Sequence, residues 1–295
     1  GIWKTTNGGT SWTQLSSTTD FYYVNDIVVR NESGTGIVYA GVTRAFYKGT
    51  FHGTKEGLYR STNAGTSWTQ VMPATTSGVY AAADIEIAKD NRIWVGSRNN
   101  AFGRGGGAVL FSDNGTTWTA KTVVISGRRV ELACAPSDSS VVYGIVQKSS
   151  VVEEIIRTTD RGATWSVSST SSSLTEPSDA DNGIPNTDFT RGQAFYDLIA
   201  AVSPGNKDTV VMGGIDLFMS TNGGTTWKQI SKWSNNNNLS SLTCSKVHAD
   251  QHQLVFRPGK SNEMIVGNDG GVYYCSNLKT AETSNNFSAR NTGYN

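Results

Sequence analysis

Ser61-Thr62-Asn63-Ala64-Gly65-Thr66-Ser67-Trp68 decides the fold, because this phrase returns four more times along the chain. The other copies are Thr5-Thr6-Asn7-Gly8-Gly9-Thr10-Ser11-Trp12, Phe111-Ser112-Asp113-Asn114-Gly115-Thr116-Thr117-Trp118, Thr158-Thr159-Asp160-Arg161-Gly162-Ala163-Thr164-Trp165 and Ser220-Thr221-Asn222-Gly223-Gly224-Thr225-Thr226-Trp227. Trp-to-Trp steps are 56, 50, 47 and 62 residues. Self-similarity at that period marks stacked supersecondary units.

Outward from Trp68, the flanking residues define one unit. Val24-Asn25-Asp26-Ile27-Val28-Val29 and Ile37-Val38-Tyr39-Ala40-Gly41-Val42 are β-branched runs. Gly57-Leu58-Tyr59-Arg60 is a third strand, and Trp68-Thr69-Gln70-Val71 a fourth. Four short strands parted by Gly- and Asn-rich turns predict an antiparallel meander. Such sheets, repeated about an axis and packed face to face, make an all-β propeller whose strands are apolar on both sides. The spacing predicts a single domain over 1–295, with a half blade at 1–15 and blades at about 24–72, 81–121, 129–168, 195–230 and 247–290. The abrupt opening on Gly1-Ile2-Trp3-Lys4 and the uncapped end at Asn295 read as a piece of a larger propeller.

The phrase itself has a mechanical reading. Asn7, Asn63, Asp113, Asp160 and Asn222 are placed to accept backbone N–H groups inside the turn between the third and fourth strands. The Gly two positions later supplies a positive φ. Trp12, Trp68, Trp118, Trp165 and Trp227 pack each turn onto the sheet edge. Phe111 stands where the other copies have Ser or Thr.

These phrases resemble the Asp-box (BNR) repeat of sialidases, xyloglucanases and sortilin-type receptors, which implies a secreted or cell-surface propeller. Phe195-Tyr196-Asp197-Leu198, Met212-Gly213-Gly214-Ile215-Asp216-Leu217, Val247 to Leu254, Gly267 to Tyr273 and Arg290 to Asn295 are similar to large Bacteroidetes surface proteins. That second resemblance implies export by type IX secretion. The Arg-Ile-Pro signature of sialidases is absent, which argues against a sialidase.

Composition narrows the function classes. Net charge is +1, which gives no general pull toward nucleic acid or anionic membranes. No apolar run is long enough to span a bilayer. Cys134, Cys244 and Cys275 are too few for a disulfide framework, leaving buried thiols or one Cys244–Cys275 bridge. Gly103-Arg104-Gly105-Gly106-Gly107 precedes a strand and not a helix, so it is no phosphate loop.

Long loops fall on the blade end opposite the Trp-ended turns: 43–56, 97–107, 168–193 and 231–246. Binding residues concentrate in such loops. Arg44, Tyr47, Phe51, His52, Phe102, Arg104 and Trp233 are the candidate ligand contacts, aromatic plates beside hydrogen-bonding cations that suit a glycan or an extracellular protein. Asp26, Asp84, Glu131 and Asp197 head the first strands, either as an acidic ring or as acceptors of backbone N–H groups. If the chain is a glycoside hydrolase it needs two carboxylates across a sugar-sized cleft, and Asp197, Asp181 and Asp188 are the candidates. In His248-Ala249-Asp250-Gln251-His252, strand alternation sets His248, Asp250 and His252 on one side, in line with Leu254 and Phe256. Two imidazoles and a carboxylate suit a divalent metal ion, a hydrogen-bonded network or a ligand contact. The binding module is the main expectation; a xyloglucanase-like hydrolase and a structural role in a surface assembly are the alternatives.

Overall fold

The computed structural model describes residues 1–52, 54–174 and 188–293. The chain is all-β, a β-propeller of five four-stranded antiparallel blades. In the first blade the strands are Tyr23–Glu32, Thr35–Thr43, Gly57–Ser61 and Thr69–Gln70. The second has Ala81–Ile87, Ile93–Arg98, Ala108–Ser112 and Thr119–Thr122. Val130–Cys134, Val142–Lys148, Val151–Thr158 and Ser166–Ser169 make the third. The fourth is built from Ile199–Val202, Val210–Gly213, Leu217–Ser220 and Lys228–Gln229. Gln251–Phe256, Met264–Asn268, Gly271–Cys275 and Phe287–Ala289 complete the fifth. A short hairpin, Trp3–Lys4 with Thr13–Gln14, precedes them.

Two compact units divide the chain, 1–130 and 131–295. Each has its own core, made where one blade's apolar face meets the next. In the first unit Tyr39 and Leu58 pack with Ala82, Ile85, Ile93 and Val95. The second unit has two layers: Tyr143, Ile145 and Ile155 meet Val202, Val210 and Phe218, and Val211 and Leu217 meet Leu254, Met264 and Val266. Each such side chain contributes about 1.5–3 kcal/mol on burial, so the blade faces supply the main stabilisation. Two-sided burial is why the middle strands read as continuous apolar runs; Ile93, Trp94 and Val95 are all fully enclosed.

The Trp-ended turns share one hydrogen-bond pattern. In the first blade the Asn63 Oδ1 accepts from the Ser61 hydroxyl (3.0 Å) and the Ser67 N–H (2.9 Å), while Ser61 Oγ accepts the Gly65 N–H (2.9 Å). Asn7, Asp160 and Asn222 do the same in their copies. The third copy corrects the sequence alignment. There Ser112 and Asn114 fill the two roles, with Ser112 Oγ accepting the Gly115 N–H (2.8 Å) and Asn114 Oδ1 accepting that of Thr117 (2.8 Å). This turn is one residue shorter after its Asn, so Asp113 is released and instead takes a two-point ion pair from Arg92 (2.8 and 2.7 Å). Trp12 also departs from expectation, being 56% exposed.

A β-bulge recurs near the head of the first strand. Asn25, Ala83 and His252 are each the extra residue, in blades one, two and five. The residue that follows each one pairs with the equivalent glycine of the second strand: Asp26 with Gly41, Asp84 with Gly96 and Gln253 with Gly267. Cys244 and Cys275 are not bridged to each other, and burial pushes their thiols up to about 12 and about 11. Among the described residues no helix is long and apolar enough to cross a membrane.

Candidate functional site

In the first unit, the 43–56 loop folds into a hairpin pairing Ala45–Tyr47 with Thr50–His52. Cross-strand partners point to one side. Phe46 and Phe51 are such a pair, 5.3 Å between ring centroids, and remain 77% and 47% exposed. His52 and Tyr47 turn the other way onto Tyr22. The imidazole stacks on Tyr22 at 3.7 Å, and the Tyr47 ring lies 5.5 Å from it. Tyr22 precedes the first strand, and nothing in its sequence neighbourhood marks it as the hairpin's anchor.

Arg44 clasps the neighbouring loop, its guanidinium donating to the Asn100 carbonyl. Glu56, nearly buried, accepts the Ala101 N–H at 2.5 Å and the Arg44 N–H at 3.4 Å. Burial pushes its carboxyl above the ordinary range. Asn100 locks the second loop: its amide donates to the Ser77 and Val79 carbonyls (2.7 and 2.9 Å), and its oxygen accepts the Phe102 and Arg104 N–H groups (3.0 and 2.9 Å). Phe102 is 67% exposed and lies against Gly78, and the Arg104 side chain is exposed. The two loops thus form one patch whose outward apolar groups are Phe46, Phe51 and Phe102.

The second unit gathers a different set. Asp269, in the turn between the second and third strands of the fifth blade, is the hub. Its Oδ1 lies 2.6 Å from His252 Nε2, and the Tyr196 hydroxyl donates to both carboxylate oxygens at 3.1 and 3.2 Å. The Tyr196 ring also meets His252 edge to face at 4.7 Å. The turn is formed by Asn268, whose Oδ1 accepts the Gly270 N–H at 3.1 Å, which leaves Asp269 free to reach outward. Hydrogen bonds from His252 and Tyr196 hold the Asp269 carboxyl below its ordinary range. Asp250 goes the other way: partial burial, then the charge of Asp269, push it up.

The expected metal trio does not form. Asp250 sits at φ +63°, and the bulge at His252 shifts the alternation, so Gln251 and Leu254 face the core while His252 is exposed. His248 folds back, with Nδ1 at 3.1 Å from the Ala249 carbonyl and its ring flush on Gly270. Among the described residues no group of three or more His, Cys, Asp or Glu is arranged to hold a metal ion.

The other acidic candidates resolve by burial and bonding. Asp197 is 0% exposed, so its carboxylate is not presented to a substrate. Asp188 closes its own turn, accepting from the Thr190 N–H and hydroxyl (3.1 and 2.6 Å) and the Gly192 N–H (2.7 Å). Asp181 lies outside the described residues. Asp26 accepts N–H groups from Ile27 (2.7 Å) and Ile85 (2.9 Å), tying the first blade to the second. Trp233 is half-buried beneath the Arg191 guanidinium, 5.7 Å from its ring.

No protein-family model matches the chain. It is 27% identical over 201 residues to a xyloglucanase of Hypocrea jecorina (strain QM6a), a match spanning 59% of this chain and 23% of that protein. In fold it is similar to an ancestral GH74 enzyme, with TM-score 0.58 and 15% identity over 92% of this chain and 31% of that one. It is similar too to YCF48 from Cyanidioschyzon merolae, with TM-score 0.52 and 15% identity over 92% of this chain and 74% of that one. A chain of the COPII outer coat vertex gives TM-score 0.52 and 13% identity, covering 88% and 59%. Such distant likenesses establish the propeller alone, since the fold hosts unrelated tasks.

Proposed function

We propose that this propeller is the glycan-handling part of a xyloglucanase-like glycoside hydrolase, with Asp250 and Asp269 as its carboxyl pair. One observation carries the reading: two neighbouring carboxyls are driven in opposite directions, Asp269 held ionised by His252 and Tyr196, Asp250 raised by burial and by Asp269 itself. Glycoside hydrolysis uses two carboxyls of unequal proton affinity, one to serve the leaving oxygen and the other to act on water or the sugar carbon. The exposed Tyr196 ring, against Asp269 and His252, offers apolar surface for a sugar ring. The xyloglucanase relative supports a polysaccharide substrate, and the chain spans only 23% of it, so the remainder of such an enzyme is part of the proposal. A polymer of that kind is met outside the cell, so we place the protein there, as its Asp-box resemblance suggests.

The test is sugar release from xyloglucan. Asp269→Asn and Asp250→Asn are expected to lower kcat by about 100-fold or more, the usual worth of a positioned acid or base, with the thermal midpoint nearly unchanged. A wild-type chain that neither cleaves nor binds xyloglucan sinks the reading. The binding-module alternative rests on Phe46 and Phe51, whose rings face solvent as a pair. It predicts that Phe51→Ala loses polysaccharide retention while any sugar release persists.

A further inference from the structure

At the other end of blades four and five, the first-to-second-strand turns of both blades, the Trp-ended turn of blade four and the Leu278–Lys279 segment line an open pocket of about 550 Å³. That volume falls in the range of small-ligand sites. Its walls are polar and unengaged: the hydroxyls of Thr209, Thr221 and Ser261 and the carboxamide of Asn262 make no hydrogen bond among the described residues. Buried Met219 and Leu278 add an aliphatic surface. The rim is tied by bonds to main-chain carbonyls, the Ser203 hydroxyl donating to that of Ser261 (2.9 Å) and the Leu278 N–H to that of Asn262 (2.7 Å). The main chain is therefore fixed while the side chains remain available.

We infer that this cavity binds a neutral polyhydroxylated ligand, a short saccharide, independently of the Asp250–Asp269 pair. Hydroxyl and amide groups can both donate and accept, as sugar hydroxyls require. The aliphatic surface suits the C–H face of a pyranose ring. No carboxylate lines the pocket, which argues against a cation, and Lys279 is the single charged residue in its lining, without the Arg fork that favours phosphate. The strand Met264–Asn268 separates Asn262 from Asp269, placing the two sites roughly 20 Å apart.

The test uses the ¹⁵N-labelled chain titrated with cellotetraose and, separately, inorganic phosphate. Saturable amide shifts at Asn206, Thr221, Ser261 and Lys279 are expected with the tetrasaccharide alone. Thr209→Val and Asn262→Ala each remove a neutral hydrogen bond and are expected to weaken binding roughly threefold to tenfold, with spectra otherwise native. Asp269→Asn is expected to leave these shifts intact. The inference is overturned by no saturable shift at these amides up to about 20 mM, an affinity too weak to matter. Shifts caused by phosphate and not by sugar, or unchanged affinity in both cavity variants, overturn it equally.

Discussion

At the scale of single residues, the Trp-ended turns contain a built-in comparison. Four copies have Asn at the accepting position, Asn114 in the shortened one, and the fifth has Asp160, which accepts the same backbone N–H as Asn7, Asn63 and Asn222. The Thr164 hydroxyl, the Thr164 N–H and the Thr158 hydroxyl hold Asp160 down to about 2. A carboxyl whose folded pKa lies below its unfolded value contributes stability that is present above the unfolded pKa and is lost as pH falls through the folded one. Asp160 therefore destabilises the fold on acidification from about pH 4 to about pH 2. Asp160→Asn is expected to fold normally at pH 7 and to show a shallower loss of stability over that window in urea denaturation series. An unchanged acid profile would remove Asp160 from the account.

At the scale of elements, Asn100 joins two loops that sequence spacing leaves separate. It is 1% exposed and makes hydrogen bonds to residues 75, 77, 79, 102 and 104. Asn100→Ala leaves several of these partners unsatisfied in a buried place and is expected to cost about 2–3 kcal/mol in chemical denaturation. It should also speed proteolysis within 99–106; a loss under about 0.5 kcal/mol would show that the loop closes without it. The contrast with the strands says what was legible in the sequence. Alternation, β-branched runs and the Ser–Asn–Gly–Trp phrase act locally, so the blades could be read directly. The partners that matter most were not local: Tyr22 under His52, Asn100 across to Val79, and Asp269 against Tyr196, 73 residues away. The bulge defeated the reading of His248, Asp250 and His252, because one extra residue reverses the side on which later side chains fall. Asp113 misled for a related reason, a turn one residue shorter than its copies.

At the scale of the whole molecule, charge is sparse and balanced, with 25 Lys and Arg against 24 Asp and Glu. Recognition of a neutral polysaccharide by such a chain is expected to be nearly independent of salt, changing less than about twofold between 50 and 500 mM NaCl, because screening acts only on charge–charge attraction. A steep decline in affinity measured across that range would point to an anionic ligand. The recurring bulge bears on how such a molecule diversifies. Asn25, Ala83 and His252 hold one equivalent address in three blades, each just before a residue paired with glycine and each standing outside the alternation of its strand. An amide, a methyl group and an imidazole occur there over the same downstream packing. Chemistry at that end of the blade can therefore differ from repeat to repeat without disturbing the packing below it, which makes the bulge the point where the rim is uncoupled from the fold.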